Sequence, residues 1–295
     1  MAAQIVVGYD GSENSDRALD WAVREAAATA APLRVVVSMG RPVAVDPSLY
    51  GPFLEAIEEE ADKVAATAVG RAREQGVEAV AVVERGDAAG VLVEESRGAA
   101  VLAVGRRGRH GVRGRLGSVS AAVAAHAACP VVVLPEGWDP GAAPRPGTAF
   151  DGRVVVGVDR LGRDNPAVQA AARWAEEHGL GLVLLTVIPE ALSMPTASAD
   201  LDRAVREQLV GPAQAMVDQV AAAVRADRPG LDVTTAVLSG APTDRLVDAG
   251  RPAALLVVGS RGYGGFRGLL MGSVSQAVLN DGRGPVMVVP SRRKN

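Results

Sequence analysis

The chain repeats itself once, and that repeat constrains its fold more than any other feature. IVVGYDGSENSDRAL (5–19) has a counterpart in VVVGVDRLGRDNPAV (154–168), with Asp10 opposite Asp159. VVERGDAAGVLVEESRGAAVLAVGRRG (82–108) pairs with AVLSGAPTDRLVDAGRPAALLVVGSRG (236–262). LGSVSAAV (116–123) matches MGSVSQAV (271–278), and CPVVVLP (129–135) matches GPVMVVP (284–290). The period of about 150 residues is domain-sized and too long for a solenoid repeat. Between the copies lies PEGWDPGAAPRPGTAFDG (135–152), whose prolines and glycines read as a linker. The expectation is two tandem domains, 1–136 and 152–295, joined by residues 137–151.

Each copy alternates short β-branched apolar runs with longer amphipathic stretches. Strands are expected near 4–9, 33–38, 78–84, 100–104 and 131–134, then near 153–158, 181–188, 232–238, 254–258 and 286–289. Helices are expected near 15–30, 53–75, 87–97 and 118–127, then near 166–178, 197–227, 242–250 and 273–281. Gly211-Pro212 is expected to kink or break the long helix of the second copy. Continuous rather than alternating apolar strands suit a sheet covered by helices on both faces. Each copy therefore reads as an α/β domain, a doubly wound, five-stranded, mostly parallel sheet of Rossmann-like type.

Composition narrows the functions open to such a chain. Hydrophobic residues make up 48% and aromatics only 3%, so the cores are to be built from Val, Ala and Leu. The balance of 31 basic and 34 acidic residues, net −3, speaks against non-specific binding of nucleic acid or a membrane surface. One cysteine, Cys129, leaves no internal disulfide and fits a reducing compartment. The start MAAQIVVGYDGSENSD lacks the basic and apolar regions of a signal peptide, and no apolar run is long enough to span a bilayer. A cytoplasmic location is the expectation.

In doubly wound sheets ligands sit beyond the carboxyl ends of the strands, where strand order reverses. Two features of each copy fall at such ends: the acid closing the first strand, Asp10 or Asp159, and a glycine loop closing the fourth, from Gly105 or Gly259. If the first and fourth strands are neighbours, carboxylate and loop face one crevice. The loop then feeds a helix starting at GSVS, whose first amides suit a phosphate. Ser118 and Ser273 are placed to cap that helix or to donate to a phosphate oxygen. The loop is neither a P-loop nor a dinucleotide fingerprint.

Together these residues resemble the universal stress protein family in its tandem, two-domain form. The likeness covers nearly the whole chain and rests on VGYDGSENS, on G-x₂-G-x₉-G-S and on the closing CPVVVLP. It implies a fold like that of the adenine nucleotide alpha hydrolases and the binding of ATP, with Mg²⁺ on the phosphates. By the same resemblance Gly259 and Gly262 face ribose and phosphates, and Gly272, Ser273, Val274 and Ser275 face the phosphates. Gly105, Gly108, Gly117, Ser118, Val119 and Ser120 are their first-copy equivalents. Asp10 and Asp159 match the family acid that contacts adenosine, and backbone near Ser38 and Val187 would read the adenine edge. Each copy departs from the pattern: only eight residues separate Gly108 from Gly117, and DGSENS becomes DRLGRD in the second copy, placing Arg160 and Leu161 where Gly11 and Ser12 stand.

The favoured function is a nucleotide-dependent stress regulator rather than a fast enzyme. A protein-interaction module without nucleotide, or a slow ATPase, are the alternatives. His110, His126 and His178 lack metal-ligand spacing, and His126 reads as a packing residue. Cys129 reads as a small buried side chain, and RRGRHGVRGR (106–115) as a solvated loop. The final strands CPVVVLP and GPVMVVP are expected to protect each other's edges in an intramolecular pseudo-dimer, and whole chains to form a homodimer.

Overall fold

The computed structural model describes residues 4–40, 47–108, 115–139, 141, 147–159, 165–188, 199–261 and 271–291. It divides into two compact units, Met1–Gly141 and Ala142–Asn295. The first unit runs β1 (Gln4–Gly8), α1 (Glu13–Thr29), β2 (Leu33–Ser38), α2 (Pro47–Glu74), β3 (Ala79–Glu84), α3 (Ala88–Glu95), β4 (Ala99–Gly105), α4 (Ser118–His126) and β5 (Val131–Leu134). The second runs β6 (Val154–Gly157), α5 (Pro166–Glu177), β7 (Leu182–Ile188), α6 (Ala199–Asp227), β8 (Val233–Ser239), α7 (Pro242–Gly250), β9 (Leu255–Gly259), α8 (Ser273–Asp281) and β10 (Val286–Val289).

All ten strands lie within a residue of where their apolar runs predict them. The five strands of the first unit are ordered β3-β2-β1-β4-β5, every neighbouring pair parallel. The second unit repeats the pattern as β8-β7-β6-β9-β10. The order reverses at β1, which pairs with both β2 and β4, and at β6, which pairs with both β7 and β9. These are the switch points that the sequence pattern requires of a ligand site.

The cores are aliphatic, as the shortage of aromatics demands. Leu33, Leu102 and Leu134 are fully buried in the first unit, and Leu182, Leu184, Leu255 and Leu256 in the second. Local chemistry sets the helix starts. The Ser12 hydroxyl accepts from the Ser15 amide at 3.2 Å to begin α1, and Asn165 accepts from the Ala167 amide at 3.1 Å ahead of Pro166 to begin α5.

Two helices correct the sequence reading, both at a Gly-Pro pair. α2 begins at Pro47, six residues before its expected start, and runs through Gly51 and Pro52. α6 continues through Gly211-Pro212 without a break. Pro212 lies on the exposed side, where water can serve the carbonyl its ring releases. The same helix buries Val217, Val220, Ala221 and Val224 against β7 and β8, which outweighs the local loss.

Candidate functional site

At the first switch point the ends of the neighbouring strands β1 and β4 open into a crevice of about 770 Å³. That volume lies within the range of small-molecule sites, about 300–1,000 Å³. All eight first-copy residues singled out from the sequence, Asp10, Ser38, Gly105, Gly108, Gly117, Ser118, Val119 and Ser120, line it.

Close packing fixes the glycine turn. A Cβ on Gly105 would lie 2.5 Å from the Asn14 carbonyl oxygen in the first turn of α1. A Cβ on Gly108 would lie 2.6 Å from Asp10 Oδ2, so the turn sits flush against the carboxylate. Asp10 is itself oriented: its Oδ1 accepts from the Ser12 amide at 3.0 Å, while its own amide donates to Ser15 Oγ at 3.3 Å. Ser120 donates its hydroxyl between the carbonyls of Gly105 at 2.8 Å and Arg106 at 2.9 Å. A hydroxyl has one proton to give, so this serine shapes the turn, and its proton is not offered to the crevice.

The helix starts differ from expectation in one respect. Gly117 and Gly272 hold the cap positions of α4 and α8, with extended backbone and no side-chain capping bond. Ser118 and Ser273 are the first helical residues, exposed, and cap nothing. Both helices thus open with amides that no cap side chain serves, at the positive end of the helix dipole.

Most of the remaining lining is apolar, with Tyr9, Ser15, Glu60 and Arg107 as its polar members. Val36, Met39, Leu92 and Val104 form one side, and Phe53, Ile57, Ala61 and Val64 of α2 form another. The spacing 53, 57, 61, 64 is a single helical stripe, a signal present in the sequence but hidden in the acidic run around it. At the rim, Ser38 Oγ donates to the Gly86 carbonyl at 2.8 Å and accepts from the Gly40 amide at 3.2 Å, joining the ends of β2 and β3.

Arg107 was the residue least legible in advance. It belongs to a stretch that reads as a solvated loop, yet it is 3% exposed, lines the crevice and is ion-paired with Glu136. The remaining core of that stretch, 109–114, lies outside the described residues. His126 also departs from expectation: it is exposed at the end of α4 instead of packed. Cys129 is buried, and burial pushes its thiol up to about 12.

The second unit reproduces the scaffold with its own residues. The Gly272 amide donates to the Ser260 carbonyl at 2.8 Å, as Gly117 does to Arg106 at 2.9 Å. Ser275 Oγ donates to the Gly259 carbonyl at 2.7 Å, as Ser120 does to Gly105. The shorter first loop is therefore closed by the same bonds as the longer second one. Asp159 is exposed at the end of β6, Val187 is half-buried on β7, and Val274 is half-buried in the first turn of α8. Gly262, Arg160 and Leu161 lie outside the described residues.

Comparison with known proteins agrees with this architecture. The model of the universal stress protein family matches residues 1–135 and again 152–290. The chain belongs to the universal stress protein family. It carries two domains of that family in tandem, each an α/β fold with a parallel sheet. A universal stress protein of Mycobacterium tuberculosis (strain ATCC 25618 / H37Rv) is 34% identical over 316 residues, covering 96% of this chain and 94% of the relative. A second from that strain is 32% identical over 294 residues, covering 96% of each. A crystal structure of a universal stress protein from Archaeoglobus fulgidus shares the fold, with a TM-score of 0.67 at 19% identity over 99% of this chain and 98% of that one. No helix among the described residues of this universal stress protein is long and apolar enough to cross a membrane.

Proposed function

We propose that this universal stress protein binds ATP, with Mg²⁺ carried on the phosphates, and that occupancy rather than turnover is its output. The observation that carries this reading is the meeting, in one crevice, of Asp10, the glycine turn and the uncapped start of α4. Asp10 would accept hydrogen bonds from ribose hydroxyls, and the apolar side formed with α2 would take the base. The amides at Ser118 and Val119 would hold phosphate oxygens. The fit is supported by Gly108, where any side chain would occupy the space beside the carboxylate. Among the described residues no group of three His, Cys, Asp or Glu is placed to hold a metal, so Mg²⁺ would rest chiefly on the phosphates.

The second copy would bind through Asp159, Val187, Gly259, Gly262, Gly272, Ser273, Val274 and Ser275. Self-association of whole chains belongs to the same reading, and light scattering that finds only monomer at high concentration would count against it. The test of the ligand is direct. Protein purified without added nucleotide is denatured, and the released small molecules are separated by chromatography. The expected result is adenine nucleotide that stays ATP on incubation with the folded protein. Prompt appearance of ADP would make the protein an enzyme, and no nucleotide together with no thermal shift on adding ATP would favour an interaction module.

A further inference from the structure

Arg107 is a buried cation that already has a carboxylate partner, inside a crevice suited to an anion. It is 3% exposed and lines the crevice between Gly105 and Gly108. Its guanidinium pairs with Glu136, whose side chain is 44% exposed and which follows β5 and Pro135. A guanidinium taken out of water needs a carboxylate or a phosphate, and its planar fork suits both equally.

The backbone beside Arg107 is pinned by bonds that Arg106, Gly117 and Ser120 make. The Arg106 amide donates to the Leu134 carbonyl at 2.8 Å, and the Arg106 carbonyl accepts from the Gly117 amide at 2.9 Å and from Ser120 Oγ at 2.9 Å. A change of partner for Arg107 therefore requires side-chain rotation and no remodelling of the turn. The second unit is built differently at the same place. Arg261 is exposed there, Ser291 stands where Glu136 would, and a neutral bond from the Ser291 amide to Ser260 Oγ at 3.0 Å joins the strand ends.

We propose that Arg107 is an exchangeable anion-binding residue of the first-unit crevice, paired with Glu136 until a ligand phosphate takes the place of that carboxylate. The proposal rests on the crevice being a nucleotide site and adds a competitor built into the chain. Glu136 lowers the affinity of the first copy for polyphosphate, and binding releases its carboxylate at the head of the segment joining the two copies. The second copy, with Ser291 there, has no such competitor at that position.

A double-mutant cycle tests this in the full-length protein, with Gly272→Glu added to silence the second copy. Inorganic tripolyphosphate, ATP with Mg²⁺ and adenosine are titrated by calorimetry into the parent, Glu136→Gln, Arg107→Met and the double variant. Glu136→Gln is expected to tighten both polyphosphates about tenfold, and Arg107→Met to weaken them by a similar factor, the usual scale of one charge-assisted bond. In the Arg107→Met background Glu136→Gln should change nothing, and adenosine should bind all four alike.

Glu136 is half-exposed, so its glutamine variant keeps the fold. Should Arg107→Met fail to fold, Arg107→Lys replaces it and should shrink the effect of Glu136→Gln. Polyphosphate affinity that ignores Glu136, that rises equally without Arg107, or that is absent from every variant overturns the proposal. Tripolyphosphate binding that responds to Glu136 without adenosine uptake would keep it and refute the nucleotide reading. ATP uptake indifferent to Glu136 would do the reverse.

Discussion

Gly105 and Gly108 are held to their identity by different kinds of neighbour, so their substitution has different consequences. A side chain at Gly105 meets the backbone of Asn14, which is fixed in the first turn of α1. Gly105→Ala should cost about 1–3 kcal/mol of stability, the scale of overpacking, measured by urea denaturation. A side chain at Gly108 meets the Asp10 carboxylate, which can swing aside. Gly108→Ala should leave stability nearly unchanged and weaken ATP binding, and a variant that binds like the parent would mean Asp10 does not contact the ligand. Cys129 is a third case. Its thiol titrates at about 12 because burial disfavours the thiolate. A folded pKa raised above the unfolded value gives stability that is present below about pH 9 and lost as pH climbs towards 12. The native thiol should stay unreactive to a chromogenic disulfide reagent at pH 8 and react fully on unfolding; rapid native reaction would contradict the burial.

At the scale of elements, α2 matters most, because it walls the crevice and is fastened to α1 by Arg71. Arg71 pairs with Asp16 and with Asp20 at 2.7 Å, fastening α2 to α1, and Tyr9 donates its hydroxyl to the same Asp16 at 2.8 Å. Burial and that bond to Asp16 raise the Tyr9 phenol above its usual range. The ion pairs are about one-third exposed, so Arg71→Met should cost no more than about 1 kcal/mol, with the difference shrinking at high salt. A loss several times larger would show the clamp to be a cornerstone of the unit. The strands were legible because an apolar run between turn residues admits little else. Helix ends at Gly-Pro were not: sequence shows the breakers at 51–52 and 211–212, but not the burial of Val217, Val220, Ala221 and Val224 that carries α6 past the second. The site was legible as far as glycine, serine and acid mark strand ends. Arg107 was not, because whether an arginine faces solvent depends on Glu136, 29 positions away and beyond another strand.

For the whole molecule the repeat is the informative fact, since it supplies two versions of one design. Both close the glycine turn with the same two bonds, so the residue missing between Gly108 and Gly117 does not disturb the anchors. They differ in what surrounds the anchors: Glu136 against Ser291 beside the turn, and Gly11 and Ser12 against Arg160 and Leu161 after the acid. Unequal ATP affinity of the two copies is the expected consequence of those differences. The complete second loop, and the absence of a carboxylate like Glu136, favour the second copy. An acidic side chain at Gly272 should therefore remove more of the ATP affinity than the same change at Gly117. The measurement closest to the central claim is calorimetric titration of ATP with Mg²⁺ into the full chain, Gly117→Glu, Gly272→Glu and the two combined. Two unequal binding events are expected in the parent, one in each single variant and none in the double. A parent that takes up no ATP at millimolar concentration, or a double variant that binds like the parent, would contradict that claim.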